Sequence, residues 1–535
     1  MNNLRHPRTT RSGLSRRVVL SLPALAVAGG LAACNKRESP IVPAPPTASP
    51  ASAAAEALTT GETLNISVGP LVRVTHQGSD LSVLPLTIAR PKDAVEPTLN
   101  AAAVIMGGIT SNVVLYRPLR LIDSAGLRVW STTTGKTDFG SIAPGDDQDL
   151  YPTFGPVDVD TVTVFLSHGG FIEVPVVNAD DAQAPKLDVG SIVSNAKLQD
   201  TLRDPVSIER YSVALDGSSS GLTDGDETSV DVASDVTFAV DSAELTAQAD
   251  DALKGVAETI AGYSGGELTI TGHTDDVADD AHNQKLSEDR AQAVRDRLAE
   301  LADLGSWPDS VTGKGETEPA IDDTTDEARA ANRRVVITIT PTSGTTAKQP
   351  GTTGTATPSA PPASGTGLPE AKGPVGTGPD GVTVKGPEDY GGQITVALDH
   401  VTRNGGLLLG QLTVTTGPGG TGNPFLSAWL TDSSVLLANS RGETGGIEAI
   451  GASSGLTLLA DGQRVYPADY LPPDIDRHRP LTEQTLTSAL KEGATTTICV
   501  AWPDTGQDTV TLDHPGHKNN LSYVFRLTDI PVITA

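Results

Sequence analysis

At 535 residues the chain has room for roughly three or four domains. Its formal net charge of -28 argues against nucleic acid or an anionic lipid surface as a partner, because a strongly acidic surface repels both. Aromatic residues make up only 4%, while 55 glycines and 38 prolines suit β modules joined by tethers.

The N-terminus carries Arg5, Arg8, Arg11, Arg16 and Arg17 and no acid, followed by the apolar run 18–33. That run is short for a transmembrane span and fits the hydrophobic region of an export signal. It ends in Leu31-Ala32-Ala33-Cys34, which resembles a bacterial lipobox. The resemblance implies a signal peptide over 1–33, cleavage before Cys34, palmitate or a similar acyl lipid on its sulfur, and lipid anchoring at the extracytoplasmic face of the cell membrane. Ser15 to Leu20 resembles a twin-arginine export signal with Val19 where Phe is usual, so both the general and the twin-arginine routes stay open. Cys499 is the one other cysteine, and it has no partner for an internal disulfide if Cys34 is lipidated.

Residues 34–60 are rich in Pro, Ala and Ser and are expected to form a tether. From 61 to 215 the pattern has period two, as at Leu64, Ile66, Val68 and again at Val162, Val164, Leu166, with recurring turn signals. This predicts a β-sandwich of Ig-like type. Residues 216–227 place oxygen-bearing side chains at Asp216, Ser218, Ser220, Asp224 and Glu227, which is EF-hand spacing. Their flanks read as strand and coil rather than paired helices, so an acidic hinge is expected there.

Residues 228–341 alternate strand and helix patterns. Val236 to Val240 reads as a strand; Leu245, Ala249, Leu253, Val256 and Ile260 share one helix face; Leu268 and Ile270 lead a strand into Gly272-His273-Thr274-Asp275. Ala291, Val294, Leu298 and Leu301 mark a second helix, and Val335, Ile337 and Ile339 a last strand. The 342–388 stretch is a Pro/Gly/Thr-rich linker, and 389–535 a second β-sandwich module. LIDSAGLRVW (121–130) and LLADGQRVY (458–466) are similar, as are DTVTV (160–164) and DTVTL (508–512), so the two modules read as copies of one unit.

The middle segment resembles the OmpA-like peptidoglycan-binding domain. The resemblance rests on five pieces in order: Phe238…Ser242…Leu245; Gly272 to Asp275; Asn283, Leu286, Ser287, Arg290 and Ala291; Gly313, Gly315 and Pro319; and Asn332-Arg333-Arg334-Val335. It departs from many relatives at Ala278, where they carry Gly. The resemblance implies an α/β fold of βαβαβ type, flanked here by the two all-β modules. It also implies non-covalent binding of peptidoglycan through the diaminopimelate of the stem peptide, with Asp275 holding the ammonium and Arg290 the carboxylate. Thr274, Asn283, Leu286 and Arg333 match positions lining the family's pocket. The second helix's N-terminus would add N–H donors.

The residues alone support part of this. Arg290 flanks the apolar stripe between Leu286 and Val294, where a charge is costly unless paired. Arg333 falls in the same alternation as Val335, Ile337 and Ile339. An internal Asp275–Arg290 salt bridge is the competing account. Gly262-Tyr263-Ser264-Gly265-Gly266 matches a nucleophile elbow, but a helix precedes it and a strand follows, the reverse of what that motif needs. His273, Asp275, Asp276, Asp279 and His282 raise a metal site, set aside because His273 matches the family's structural His. The expectation is a membrane-anchored envelope tether, not an enzyme, with no cofactor and no metal. The alternative is an adhesion or assembly scaffold whose sandwich modules bind a protein partner, with wall contact secondary.

Overall fold

The computed structural model describes residues 53–58, 62–94, 119–132, 141–182, 184–196, 203–342, 367–385, 392–418, 452–473, 477–482, 492–516 and 523–534. Cys34 and the signal segment lie outside these.

In the first β region, Thr63–Val68 alternates inward Leu64, Ile66 and Val68 with outward polar residues, as its period-two pattern requires. A four-stranded sheet (Ala53–Leu58, Thr63–Val68, Leu86–Ala89, Asp147–Leu150) and an eight-stranded sheet share one core with Leu121, Trp130, Val162, Val164 and Val174. The buried Trp130 indole donates to the Pro156 carbonyl at 3.0 Å, which satisfies its one polar atom. The second β region builds its core the same way, around Leu412, Leu458, Val500, Trp502 and Leu512.

The two regions repeat one strand order. In the first, Arg128–Ser131, Arg120–Asp123, Thr161–Leu166, Gly170–Asn178, Leu71–His76 and Ser79–Val83 are successive neighbours. In the second the succession is Gln463–Val465, Thr457–Ala460, Thr509–His514, Phe525–Thr534, Val401–Asn404 and Leu407–Thr416. The fourth and fifth members run parallel in both. The similar peptides 121–130 and 458–466 form the equivalent hairpin in each.

Two boundaries move. The end of the expected tether, Ala53–Leu58, is a strand paired along its length with Thr63–Val68, because its alternation buries Ala57. Within the expected 342–388 linker, Val375–Thr377 and Val382–Lys385 are strands, the latter burying Val382 and Val384.

The expected acidic hinge is also a correction. Residues 216–227 run through a turn, the strand Ser219–Asp224 and the turn into Glu227–Ala233, all within an antiparallel meander that starts at Arg210–Ala214. The acids cluster at the turns, while Ser219, Gly221 and Thr223 face inward. Side chains that alternate between two faces of a strand cannot converge as an EF-hand loop does.

This meander opens the α/β domain. Its sheet runs Asp309–Gly313, Gly266–Gly272, Arg334–Pro341, Glu227–Ala233, with only the first pair parallel. The helices Ala249–Ala261 and Asp280–Leu301 pack on it through Leu253, Val256, Ile260, Ala291, Val294 and Leu298. The expected strand at 236–240 is absent. Ser234–Thr237 is a helical turn, Phe238 makes a single bridge to Leu245, and Val240 is 97% exposed. The strand beside Arg334–Pro341 is instead Glu227–Ala233, which buries Val230 and Val232.

The α/β domain is continuous with the second β region: Arg210–Ala214 pairs with Gln463–Val465. A further apolar cluster, including Ile122, Phe165, Leu407, Tyr470 and Cys499, joins the two β regions. Among the described residues, no helix is long and apolar enough to cross a membrane.

Candidate functional site

The site begins where the Gly266–Gly272 strand ends. Gly272 packs against the second helix so closely that a Cβ would meet the Ser287 carbonyl oxygen at 2.1 Å, so no larger residue fits. Beyond it, His273 donates its amide to the Arg334 carbonyl and Thr274 to the Gly315 carbonyl, both at 2.9 Å. Gly315 takes φ 53°, a left-handed conformation that favours glycine, and donates its amide to Ser287 Oγ at 2.9 Å. The glycine, serine and asparagine positions of the motif thus fix one loop at the sheet's end.

Asn283 fastens the loop from the helix. Its buried amide donates to the carbonyls of Asp275 (3.1 Å) and Ala278 (3.3 Å) and to Glu316 Oε2 (2.7 Å). Those bonds make it a positioning residue whose amide nitrogen is already engaged. Leu286, one turn on, is half-buried. Thr274 is buried, and its hydroxyl has no partner among the described residues.

The helix N-terminus is partly occupied. Asp279 caps it, accepting from the His282 amide at 3.0 Å. The expected supply of free N–H donors is smaller by that amide.

Asp275 and Arg290 do not form an ion pair, so the competing internal-bridge account fails. Asp275 Oδ2 accepts from Arg333 Nη1 at 2.6 Å. The remaining fork of Arg333 grips Asp235, Nε to Oδ1 at 2.7 Å and Nη2 to Oδ2 at 2.5 Å. Each charge favours the other's ionised form: Arg333 is raised above the usual guanidinium value and Asp235 is lowered below the usual carboxylate value. Arg333 itself precedes the Arg334–Pro341 strand and closes the Asp326–Asn332 helix, rather than lying in the strand alternation expected for it.

Arg290 sits apart from this fork. It is 5% exposed, donates Nε to the Ser242 carbonyl at 3.0 Å, and lies over the Phe238 ring at 5.2 Å. No carboxylate of the described residues reaches ion-pair distance, although Asp235, Asp241 and Asp275 act on it from farther away. Burial is the largest influence and lowers its pKa from the usual value. A guanidinium fixed by Nε and by a ring face still presents its two terminal nitrogens.

Neighbouring titratable groups are committed elsewhere. His282 contacts Asp241 at 2.8 Å, and Asp276 accepts from Arg329 at 2.7 Å. His273 is buried and neutral at physiological pH, its pKa lowered to about 4 by desolvation and then by Arg334. The five residues that raised a metal site therefore divide among separate partners. Asp235 supports Arg333, and Phe238 and the Ser242 carbonyl support Arg290; none of the three was expected as a site residue. Phe238 and Ser242 carried a signal, standing in the same motif series, while Asp235 had none. At 262–266 the chain turns from helix to strand, so Ser264 has no nucleophile-elbow setting.

The OmpA family model matches residues 237–333, the segment that contains all of these groups except Asp235 and Arg334. Outer membrane porin F of Pseudomonas aeruginosa is 41% identical over 101 residues, covering 19% of this chain and 29% of that protein. Outer-membrane lipoprotein YfiB of the same organism is 32% identical over 108 residues, covering 20% and 64%. The chain therefore spans under two thirds of the relatives it matches, and the likeness is confined to about a fifth of its own length. Among solved structures, the cell wall anchor of the T6SS from Pseudomonas aeruginosa is 32% identical, covering 23% of this chain and 89% of that one, with a TM-score of 0.21. Residues 237–333 of this chain are an OmpA-family domain, set among β-rich regions.

Proposed function

We propose that the OmpA-family domain binds peptidoglycan non-covalently, gripping the diaminopimelate of a stem peptide. The ligand's ammonium meets Asp275 and its carboxylate meets the terminal nitrogens of Arg290. The observation that carries this reading is Arg290 itself: a buried guanidinium, oriented by Ser242 and Phe238, with no carboxylate at ion-pair distance among the described residues. A buried cation left unpaired is costly, and a bidentate carboxylate is the ligand that relieves the cost. Arg333 and Asp235 hold Asp275 in place from the other side.

The chain works by equilibrium binding, without chemistry and without a cofactor. Its relatives are named as an outer membrane porin and an outer-membrane lipoprotein, which supports a place in the envelope. We place the anchor at Cys34, lipidated after removal of residues 1–33, so that the protein staples membrane to wall. The two β regions are read as Ig-like modules of one design, supported by their shared strand order. The test is co-sedimentation of the full chain with purified diaminopimelate-type and lysine-type wall. Binding to the first and not the second supports the reading, since lysine lacks the second carboxylate; equal binding to both overturns the assignment of the ligand.

A further inference from the structure

The turn that orients Arg290 is itself tied down by a side chain outside the ion pairs around Asp275. Between Phe238 and Leu245 the chain doubles back: the two residues form a bridge, and Ala239 donates its amide to the Glu244 carbonyl at 3.1 Å. At the tip Val240 and Asp241 are exposed. Asp241 takes φ 50°, a left-handed conformation that Asp adopts more readily than most residues. The reversal leads into Ser242, whose carbonyl accepts from Arg290 Nε at 3.0 Å and whose Oγ accepts from the Glu244 amide at 2.9 Å.

An exposed tip with little buried apolar surface opens easily. His282 ties it to the second helix. Its ring Nε2 meets Asp241 Oδ1 at 2.8 Å, and because an ionised carboxylate only accepts, the imidazole donates. The backbone of His282 is fixed in turn, its amide donating to the capping Asp279 at 3.0 Å. The helix Asp280–Leu301 thus grips two successive residues of the turn, Asp241 through His282 and Ser242 through Arg290. A turn free to move would carry the Ser242 carbonyl with it and let the guanidinium swing.

We infer that His282 is a positioning residue for the wall ligand: by holding Asp241 it fixes the turn whose Ser242 carbonyl aims Arg290. The inference rests on the wall-binding reading and adds to it a residue that acts through Arg290 rather than on the ligand. The side chains of the pair are 44% and 65% exposed, so water competes for the bond and its hold is modest. An exposed pair of this kind is worth about two- to fivefold in affinity.

The experiment measures the affinity of the full chain for purified diaminopimelate-type wall, beside its melting temperature, in four variants. His282→Ala should bind about two- to fivefold more weakly at an unchanged melting temperature, because the backbone bond to Asp279 stays. His282→Gln keeps a side-chain N–H donor and should restore most of the loss. Asp241→Gly removes the acceptor without straining the left-handed backbone. It should weaken binding as His282→Ala does, and the double variant should be no weaker than the weaker single one, since each change breaks the same tie. A parent chain that does not bind overturns the wall-binding reading and this inference with it. With a parent that binds, parental affinity in His282→Ala overturns the positioning role alone. So does a loss that His282→Gln leaves unrestored, a loss that tracks a fall in melting temperature, or two losses that add in the double variant.

Discussion

Arg333 joins Asp275 to Asp235, taking the first through Nη1 at 2.6 Å and the second through Nε and Nη2. The carboxylate of the Thr274-Asp275 motif is therefore braced by a cation that is not Arg290, which leaves the two proposed ligand-binding charges free of each other. Asp275 thus belongs to one of the fold's own ion pairs, while Arg290 belongs to none among the described residues.

Arg333→Ala should lower both stability and wall affinity. It removes hydrogen bonds to two carboxylates, one of which, Asp275, has a side chain only 15% exposed. A loss of about 1–2 kcal/mol in unfolding free energy is expected, discounted for the half-exposed Asp235 partner. Thermal unfolding with and without purified wall checks it. An unchanged melting temperature would mean the fork carries no weight in the fold.

Stability should depend on pH through His273. Its folded pKa of about 4 lies below the ordinary 6.5, so in the window between them the unfolded chain binds a proton that the folded chain refuses. Stability from this group is full above pH 6.5 and falls as pH drops toward 4, by up to about 3 kcal/mol. His273→Asn should flatten that part of the curve. Urea midpoints measured across the window decide, and an equal slope in both proteins would remove His273 as the cause.

Gly272→Ala should destabilise the domain by about 2–4 kcal/mol, because a methyl group at 2.1 Å from the Ser287 carbonyl oxygen forces helix and strand apart. The measurement is denaturant unfolding monitored over the α/β domain. A midpoint equal to the parent's would show that the close approach is relaxed in solution.

If Cys34 carries the proposed lipid anchor, Cys34→Ala should release the chain from the membrane fraction of its producing cell. Fractionation of cells expressing each form tests this, and retention of the variant would count against a lipid anchor.

Period and motif made much of this molecule legible from its residues. Leu253, Val256 and Ile260 did become one buried helix face, and Asp275 and Arg290 do sit at a strand's end and on a helix. The strand expected at 236–240 failed for a physical reason: Val236, Phe238 and Val240 alternate correctly, but Val240 points into solvent and no neighbouring strand is left for them. The acidic hinge failed because charge was weighed above alternation; the acids occupy the turns on either side of Ser219–Asp224, a strand whose inward residues are small or hydroxylated. Asp235 could not be found by spacing, since its partner Arg333 is 98 residues away and only the sheet brings them together.

The most direct test of the central claim is wall co-sedimentation of Arg290→Ala beside its melting temperature. In the bound state the truncation removes a charge-assisted bidentate contact of about 1.5–3 kcal/mol, roughly a ten- to hundredfold loss of affinity. The account predicts lost sedimentation with diaminopimelate-type wall and a domain that still unfolds cooperatively, since Arg290 has no ion-pair partner among the described residues to strand. Wall binding that survives the substitution at parental affinity would contradict it.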